Sequence, residues 1–145
     1  MRLALTAFTA RGAALAQALA EKLTGLGNSC MIAVPARLNL AFPTYENLGA
    51  WTGERFADCE GILFIGASGI AVRAIASYVR DKFTDPAVVS VDEAGQFAVP
   101  LLSGHVGGAN DLARTVAAMT GGRAAVSTAT DVNGKFAVDQ WAREQ

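Results

Sequence analysis

The stretch Gly61-Ile-Leu-Phe-Ile65, followed directly by Gly66-Ala-Ser-Gly69, decides the fold class of this 145-residue chain. A run of consecutive apolar residues after Gly61 is typical of a strand buried on both faces, which is the pattern of a parallel sheet. The glycine-rich turn leads into residues 70–79, whose apolar side chains recur at helical spacing. A buried strand, a tight turn and a helix in this order indicate one β-α unit of an α/β sheet.

The rest of the chain continues this alternation of strands and helices. Further strands are predicted at residues 2–8, 30–34, 87–91, 97–102 and 124–128. Helices are predicted from Thr9 to Gly25 or Gly27, within residues 45–56, over residues 108–120 and around residues 136–141. Because only residues 92–95 separate two of the strands, they favour an antiparallel hairpin, and Pro100 favours an edge position. The pattern predicts a single α/β domain over residues 1–145. We expect a Rossmann-like, three-layer arrangement with a mostly parallel sheet, helices on both faces and an antiparallel hairpin at one edge.

Composition argues against several classes of protein. With 52% hydrophobic residues the chain has enough apolar material for a packed core, and its net charge of -1 provides no electrostatic footprint for nucleic acid. No apolar run reaches the roughly 18 to 20 residues that a membrane-spanning helix needs. Cys30 and Cys59 lack a CxxC spacing or a Cys/His cluster, so we expect two buried, reduced thiols in a cytoplasmic protein.

Polar residues concentrate at three junctions that follow predicted strands, at residues 66–69, 103–111 and 128–133. Because the carboxyl ends of parallel strands meet at one edge of a sheet, we expect the three junctions to lie together. The candidate catalytic residues there are His105, Ser68 and Asp131. The candidate ligand-binding residues are Gly66, Gly69, Arg73, Ser103, Gly104, Gly107, Gly108, Asn110, Thr130 and Asn133.

Each candidate also has a structural interpretation. Ser68 either caps its helix or donates to a ligand, and Arg73 either binds a carboxylate or is simply solvated. His105, the only histidine, lies between glycines and serves as a general base, a hydrogen-bond donor, an axial metal ligand or a group bonded to local backbone. Asn110 or Asp111 would cap the next helix, and Asp131 with Asn133 would form an Asx turn. A lone histidine without neighbouring cysteines argues against a structural zinc site, and we predict no metal.

From Gly61 onward the chain resembles the CbiG family, the cobalt-precorrin-5A hydrolases of anaerobic cobalamin biosynthesis. The resemblance is carried, in order and with similar spacing, by residues 64–75, Lys82, residues 84–89, 91–93, 101–113 and 128–139. Residues 1–60 are similar only in their general β-α-β pattern. Members of that family usually continue into a C-terminal domain similar to CobE, which we expect to be absent from this sequence.

The resemblance implies a role in cobalamin (vitamin B12) biosynthesis. The implied reaction opens the δ-lactone of cobalt-precorrin-5A with water, which yields cobalt-precorrin-5B and acetaldehyde. His105 would activate the water, the amides of Gly107 and Gly108 would stabilise the oxyanion, and Arg73 would hold a corrinoid carboxylate. Ser68 or Ser103 as a covalent nucleophile stays open, although neither lies in a recognisable nucleophile motif. The cobalt belongs to the substrate, and no separate cofactor is implied.

The alternative is a non-catalytic corrinoid-binding domain that needs the C-terminal domain for activity. A nucleotide-binding Rossmann domain is disfavoured because the GxGxxG fingerprint is missing. The expected partner is a cobalt-corrinoid small molecule, with neither nucleic acid nor membrane. A homodimer, and contact with a CobE-like domain or other enzymes of the pathway, both stay open.

Overall fold

The structure is a computed structural model that describes residues 1–129 as an α/β domain. Its helices are α1 (Ala10–Gly25), α2 (Leu48–Asp58), α3 (Ser68–Ile75) and α4 (Ala109–Thr120), with one 3-10 turn at Ala36–Leu38. Its strands are β1 (Arg2–Ala7), β2 (Ser29–Ile32), β3 (Val34–Pro35), β4 (Thr44–Tyr45), β5 (Gly61–Ile65), β6 (Ala87–Val91), β7 (Phe97–Leu102) and β8 (Arg123–Ala124).

The main sheet has six strands in the order β2-β1-β5-β6-β7-β8, and β3 pairs with β4 in a separate two-stranded sheet. Strands β2, β1, β5 and β6 run parallel to one another. Strand β7 is antiparallel to β6, and β8 is parallel to β7. The mostly parallel sheet and the antiparallel hairpin are therefore confirmed. The hairpin lies one strand in from the edge, and β8 pairs only with Phe97 and Ala98.

Helices cover both faces of the sheet, as the three-layer prediction requires. Alternate residues of each strand point to opposite faces. Leu3 and Leu5 of β1 pack with α1 and α4, whereas Ile62 and Phe64 of β5 pack with α2 and α3. Helix α1 begins as predicted, since the Thr9 hydroxyl accepts from the amide of Gly12 at 3.0 Å. Within residues 1–129, no helix combines the length and the apolar character needed to cross a membrane.

Two predicted strands are shorter than the sequence suggests. The strand predicted over residues 30–34 leaves the main sheet after Ile32, because the Val34 amide donates to the Pro43 carbonyl and joins the small sheet instead. The strand predicted over residues 124–128 ends at Ala124. The Ala125 amide donates to the Ala98 carbonyl, but the next donor along β7 in a parallel ladder would be Pro100, which has no N–H.

The helix predicted over residues 70–79 begins two residues earlier and ends at Ile75. The amides of Tyr78 and Val79 both donate to the Ile75 carbonyl, so the chain tightens and leaves the helical path. The Asp85 carboxylate then accepts from the amides of Arg80 and Asp81 and holds the bend. The predicted helix around residues 136–141 and the site residues Thr130, Asp131 and Asn133 lie outside the described residues.

Candidate functional site

The direction of β7 separates the predicted site residues. The parallel strands β2, β1, β5 and β6 end at one edge of the sheet, the carboxyl edge, and begin at the opposite one, the amino edge. Leu102, the last residue of β7, pairs with Val88 near the start of β6, so the loop after β7 lies at the amino edge. The turn at residues 66–69 follows β5 and lies at the carboxyl edge. The prediction that these two junctions share one edge is wrong, because it treats β7 as parallel.

This separation rules out one catalytic pairing. A five-residue strand spans about 16 Å, and such a length lies between Ser68 at one edge and His105 at the other. A hydroxyl and an imidazole must approach within about 3 Å to exchange a proton directly. Ser68 and His105 therefore do not form a nucleophile-base pair within this domain. Thr128 lies at the amino edge with the loop of His105, where the Asn110 side-chain amide donates to its hydroxyl at 2.9 Å.

The amino-edge loop is held by bonds within the protein. The Ser103 hydroxyl is buried and donates to the Asp85 carbonyl at 3.0 Å. The first amides of α4 are also engaged, since Ala109 donates to the Ser103 carbonyl and Asn110 to the Gly104 carbonyl. Helix α4 thus begins with amides that already have acceptors, and the oxyanion role of the preceding Gly107 and Gly108 amides stays a prediction. Ser103 itself adopts a positive φ of 56°, the left-handed conformation that L-residues rarely take.

The N-cap of α4 is Gly108, with φ 88°, so the prediction that Asn110 or Asp111 caps this helix is wrong. A Cβ on Gly107 would lie 2.4 Å from the Ser103 Cβ, so this glycine is required by packing whatever else it does. The His105 side chain is exposed at the surface of the loop. Its role as a proton-transfer group stays a prediction.

At the carboxyl edge a cleft of about 340 Å³, here called the switch-point cleft, opens between the ends of β1 and β5. From β1 the chain proceeds outward to β2, whereas from β5 it proceeds the other way to β6. In open α/β sheets, ligands bind at the carboxyl ends of the strands where the connections diverge in this manner. The cleft is lined by Phe8, Pro35, Ala36, Arg37, Tyr45, Glu46, Leu48 and Ile70.

Gly66 and Ser68 form the side of this edge that belongs to β5 and α3. A Cβ on Gly66 would lie 2.8 Å from the Phe8 ring, so the glycine allows Phe8 to pack against the turn. Ser68 is the first residue of α3, and the N-cap is Ala67 without a side-chain bond, so the capping interpretation of Ser68 is wrong. The Ser68 hydroxyl instead lies 2.7 Å from the hydroxyl of Ser90, which is buried at the end of β6.

The N-terminus of α3 differs from that of α4. The amides of Ser68 and Gly69 have no acceptor among residues 1–129, and a Cβ on Gly69 would have no atom closer than the Arg73 guanidinium at 4.0 Å. Arg73 is exposed and its guanidinium thus folds back toward the start of its own helix. The amides, the positive end of the helix dipole and Arg73 together make this edge suitable for a carboxylate.

Tyr45 is the polar aromatic group of the cleft. Its hydroxyl lies 2.8 Å from the Thr6 hydroxyl, and its ring stacks on Trp51 with centroids 5.3 Å apart. Burial raises the pKa of Tyr45 above its ordinary value of 10.0, while the Thr6 bond and the nearby Arg37 charge lower it in part. Tyr45 is therefore protonated at neutral pH and available as a hydrogen-bond donor.

The structure brings Gly66, Ser68, Gly69 and Arg73 together at the carboxyl edge, and it places the predicted residues from Ser103 to Asn110 at the other edge. Phe8, Arg37 and Tyr45 were missed. Arg37 could have been found, because it follows the strand that Pro35 closes and so satisfies the same topological argument as Gly66. Within residues 1–129, no three His, Cys, Asp or Glu side chains converge to hold a metal ion.

Residues 50–131 match the family model described as cobalamin synthesis G N-terminal. The chain belongs to this family. The matched range of the cobalamin synthesis G N-terminal family includes Ser68, Arg73 and His105, whereas Arg37 and Tyr45 precede it.

Curated relatives agree with this membership. The chain is 43% identical, over 137 residues and 94% of its length, to the cobalt-precorrin-5A hydrolase of Salmonella typhimurium, of which it covers 38%. It is 44% identical over 84 residues, 58% of its length, to the cobalt-precorrin-5A hydrolase of Priestia megaterium, of which it covers 22%. The chain thus spans less than half the length of these relatives.

A solved structure supports the fold. A cobalamin biosynthesis protein G homolog from Sulfolobus solfataricus superposes with a TM-score of 0.70 at 21% identity. The superposition covers 91% of this chain and 39% of that chain.

Proposed function

We propose that this chain acts in cobalamin biosynthesis as the N-terminal part of a cobalt-precorrin-5A hydrolase, with the cytoplasm as its expected location. The reaction adds water to the δ-lactone of cobalt-precorrin-5A and releases cobalt-precorrin-5B and acetaldehyde. The observation that supports this proposal most is the 43% identity to the Salmonella relative over 94% of the chain. Because the chain covers 38% of that relative, the activity is proposed for a sequence that supplies one part of the enzyme.

The proposal places the substrate at the carboxyl edge. Corrinoid intermediates carry several acetate and propionate carboxylates, which need cations and N–H donors. Arg37 and Arg73 are both exposed at this edge, and the Gly69 amide has no acceptor among residues 1–129. Each favourable contact of a carboxylate with a helix N-terminus is worth about 0.3 to 1 kcal/mol when solvent is near.

The same edge carries neutral hydrogen-bond donors for a lactone carbonyl. Tyr45 is protonated at neutral pH, since burial raises its pKa further above 10.0, and Ser68 can donate to the substrate when the Ser90 hydroxyl donates to Ser68. Such donors stabilise the negative charge that develops on a carbonyl oxygen during attack by water. The general-base role predicted for His105 conflicts with this placement, since His105 follows β7 at the opposite edge of the sheet.

The second candidate function is corrinoid binding without catalysis by this chain alone. The size of the switch-point cleft favours it, since about 340 Å³ lies at the low end of the range that holds a drug-sized ligand, and a cobalt-corrin is larger. A cleft of this size would hold one rim of the macrocycle and leave the rest outside. In this case the hydrolytic groups come from another part of the enzyme.

The test incubates the 145-residue chain with cobalt-precorrin-5A and measures both binding, by absorbance titration, and acetaldehyde, by coupled reduction with alcohol dehydrogenase and NADH. Binding with acetaldehyde release supports the hydrolase. Binding without release, restored by the full-length Salmonella relative, supports the binding function. A chain that does not bind the substrate contradicts both.

Arginine substitutions locate the substrate. Arg37→Gln and Arg73→Gln should each weaken binding about fivefold, equivalent to about 1 kcal/mol for an exposed charged contact. Arg80→Gln, beyond the end of α3 at the amino edge, is the matched control and should leave the affinity unchanged. His105→Ala should also leave it unchanged. A loss of binding in His105→Ala with normal binding in Arg37→Gln would move the substrate to the amino edge.

A further inference from the structure

Strand β2 presents an open edge to solvent. It pairs with β1 on one side, where the Ser29 amide donates to the Met1 carbonyl at 2.9 Å and the Ala33 amide to the Leu5 carbonyl at 3.1 Å. Because alternate residues of a strand direct their backbone groups to opposite sides, the amides and carbonyls of Cys30 and Ile32 point away from β1. They have no backbone partner among residues 1–129.

The space beside this edge is a cleft of about 1140 Å³, here called the edge groove, which involves Glu21, Cys30, Ile32, Phe42, Trp51 and Glu54. Helix α1 flanks it through Ala20 and Glu21, and α2 flanks it through Trp51 and Glu54. These helices cover opposite faces of the sheet. The groove therefore continues the plane of the sheet between its two helical layers, which is the position of an additional strand.

The edge lacks the features by which proteins usually prevent strand pairing. Proteins protect exposed edges with charged residues, proline, bulges or a covering segment. The segment Ser29–Ile32 has no charge and no proline, and it pairs in regular register with β1. Met31 is 41% exposed, and the half-buried Cys30 and Ile32 pack against the core beneath α1. An apolar, regular and uncharged edge is suited to strand addition.

Charge indicates the kind of partner. The groove is bordered by the carboxylates of Glu21, Glu46 and Glu54. Arg55 also lines it, and its guanidinium lies 3.3 Å from Glu54 and 3.0 Å from Asp58, so Glu54 is already paired and the available carboxylates are those of Glu21 and Glu46. The available charge is negative, so it attracts a basic partner and disfavours a second copy, whose own carboxylates would face these across the pair.

We propose that the edge groove binds an extended segment of another protein, of about five residues, that adds to the sheet beside β2. The segment alternates apolar and small polar side chains and is flanked by Lys or Arg. Its backbone bonds to Cys30 and Ile32, and its flanking cations face Glu21 and Glu46. This inference does not depend on the proposed enzymatic function.

The test uses the 145-residue chain and three capped heptapeptides. The first alternates Val and Thr between two terminal Lys residues, the second replaces both Lys by Glu, and the third carries N-methyl groups on alternate amides of the first. Amide hydrogen exchange should show protection of Cys30 and Ile32 by the first peptide. Removal of two backbone bonds, or reversal of the charge, should each weaken binding about tenfold or more.

Matched variants locate the peptide. Met31→Lys adds a cation inside the groove and should weaken binding of the first peptide about tenfold or more. Val72→Lys makes the same type of change at a residue on α3 that is 49% exposed, outside the groove, and should bind as the unaltered chain does. Circular dichroism establishes that both variants are folded.

Several outcomes would overturn the proposal. One is the absence of hydrogen-exchange protection at Cys30 and Ile32 with about 1 mM of the first peptide. Another is binding of the N-methylated or the Glu-ended peptide as tightly as the first peptide. A dimer of the chain that protects the same two amides and dissociates in Met31→Lys would identify a second copy as the occupant instead.

Discussion

Removing one partner of the hydrogen bond between Thr6 and Tyr45 should destabilise the fold more than removing the other. The two hydroxyl oxygens lie 2.8 Å apart, and Thr6 is 0% exposed whereas Tyr45 is half-buried. Tyr45→Phe leaves the Thr6 hydroxyl buried without this partner, which should cost about 2 kcal/mol of the free energy of unfolding. Thr6→Val leaves the Tyr45 hydroxyl where water can reach it, so we expect about 1 kcal/mol.

The double variant should cost less than the sum of the two single changes. When both hydroxyls are absent, no buried polar group is left unpaired, and valine replaces threonine with little change in volume. We expect a total near 1.5 kcal/mol and hence a coupling free energy of about 1.5 kcal/mol between the two sites. Urea unfolding at pH 7, followed by circular dichroism, measures all four proteins, and equal m-values establish that the same surface is exposed in each.

The pH dependence provides an independent check on Tyr45. Burial raises its pKa above 10.0, so the folded state favours the protonated form. The associated stability is present below pH 10.0 and is lost as the pH rises through the folded-state pKa. The Tyr45→Phe variant should not show this loss of stability. The difference between the free energies of unfolding of the two proteins above pH 10.0 therefore measures the contribution of Tyr45.

Equal costs for the single variants Tyr45→Phe and Thr6→Val, or strict additivity in the double variant, would refute the reasoning.

Two further predictions concern backbone packing and thiol chemistry. Gly122→Ala places a Cβ 2.3 Å from the Gly95 carbonyl oxygen and should destabilise the fold by about 2 to 3 kcal/mol in the same unfolding assay. Gly25→Ala meets no atom within 4 Å, so it should be neutral or should stabilise the fold by up to about 1 kcal/mol. Burial, with the adjacent Asp58 carboxylate, raises the pKa of Cys59 to about 11. The rate at which iodoacetamide alkylates Cys59 should therefore rise with pH through a midpoint near 11, and Asp58→Asn should lower this pKa. A titration of Cys59 near 9.0 would contradict this assignment, as would equal effects of the two alanine substitutions.

The fold could be predicted because its signals are local. The apolar run after Gly61, the helical spacing that follows it and the short turn at residues 92–95 each depend on neighbouring residues. Which edge of the sheet a loop occupies is not a local property, because it depends on the direction of the strand that precedes the loop relative to the other strands of the sheet. The hairpin was predicted correctly, but reversal of β7 also carries its following loop, with His105, to the opposite edge of the sheet.

The residues of the switch-point cleft were missed for a different reason. Strands β3 and β4 have two residues each, too few for any periodic pattern, yet their pairing brings Tyr45 beside Thr6. Thr6 lies in a run that predicts an apolar strand, and its hydrogen-bond partner Tyr45 lies 39 positions away. Such a contact follows from tertiary packing, which residue type and spacing do not determine.

The reversal of β7 also has a consequence for the order in which the domain folds. The hairpin of β6 and β7 closes over residues 92–96, whereas pairing of β1 with β5 must close the whole segment from residue 8 to residue 60. A loop roughly ten times longer costs about 2 kcal/mol more in closure entropy. The hairpin is therefore the part of the sheet that can form earliest, and it offers the edge of β6 as a template on which β5, and then β1 and β2, can assemble.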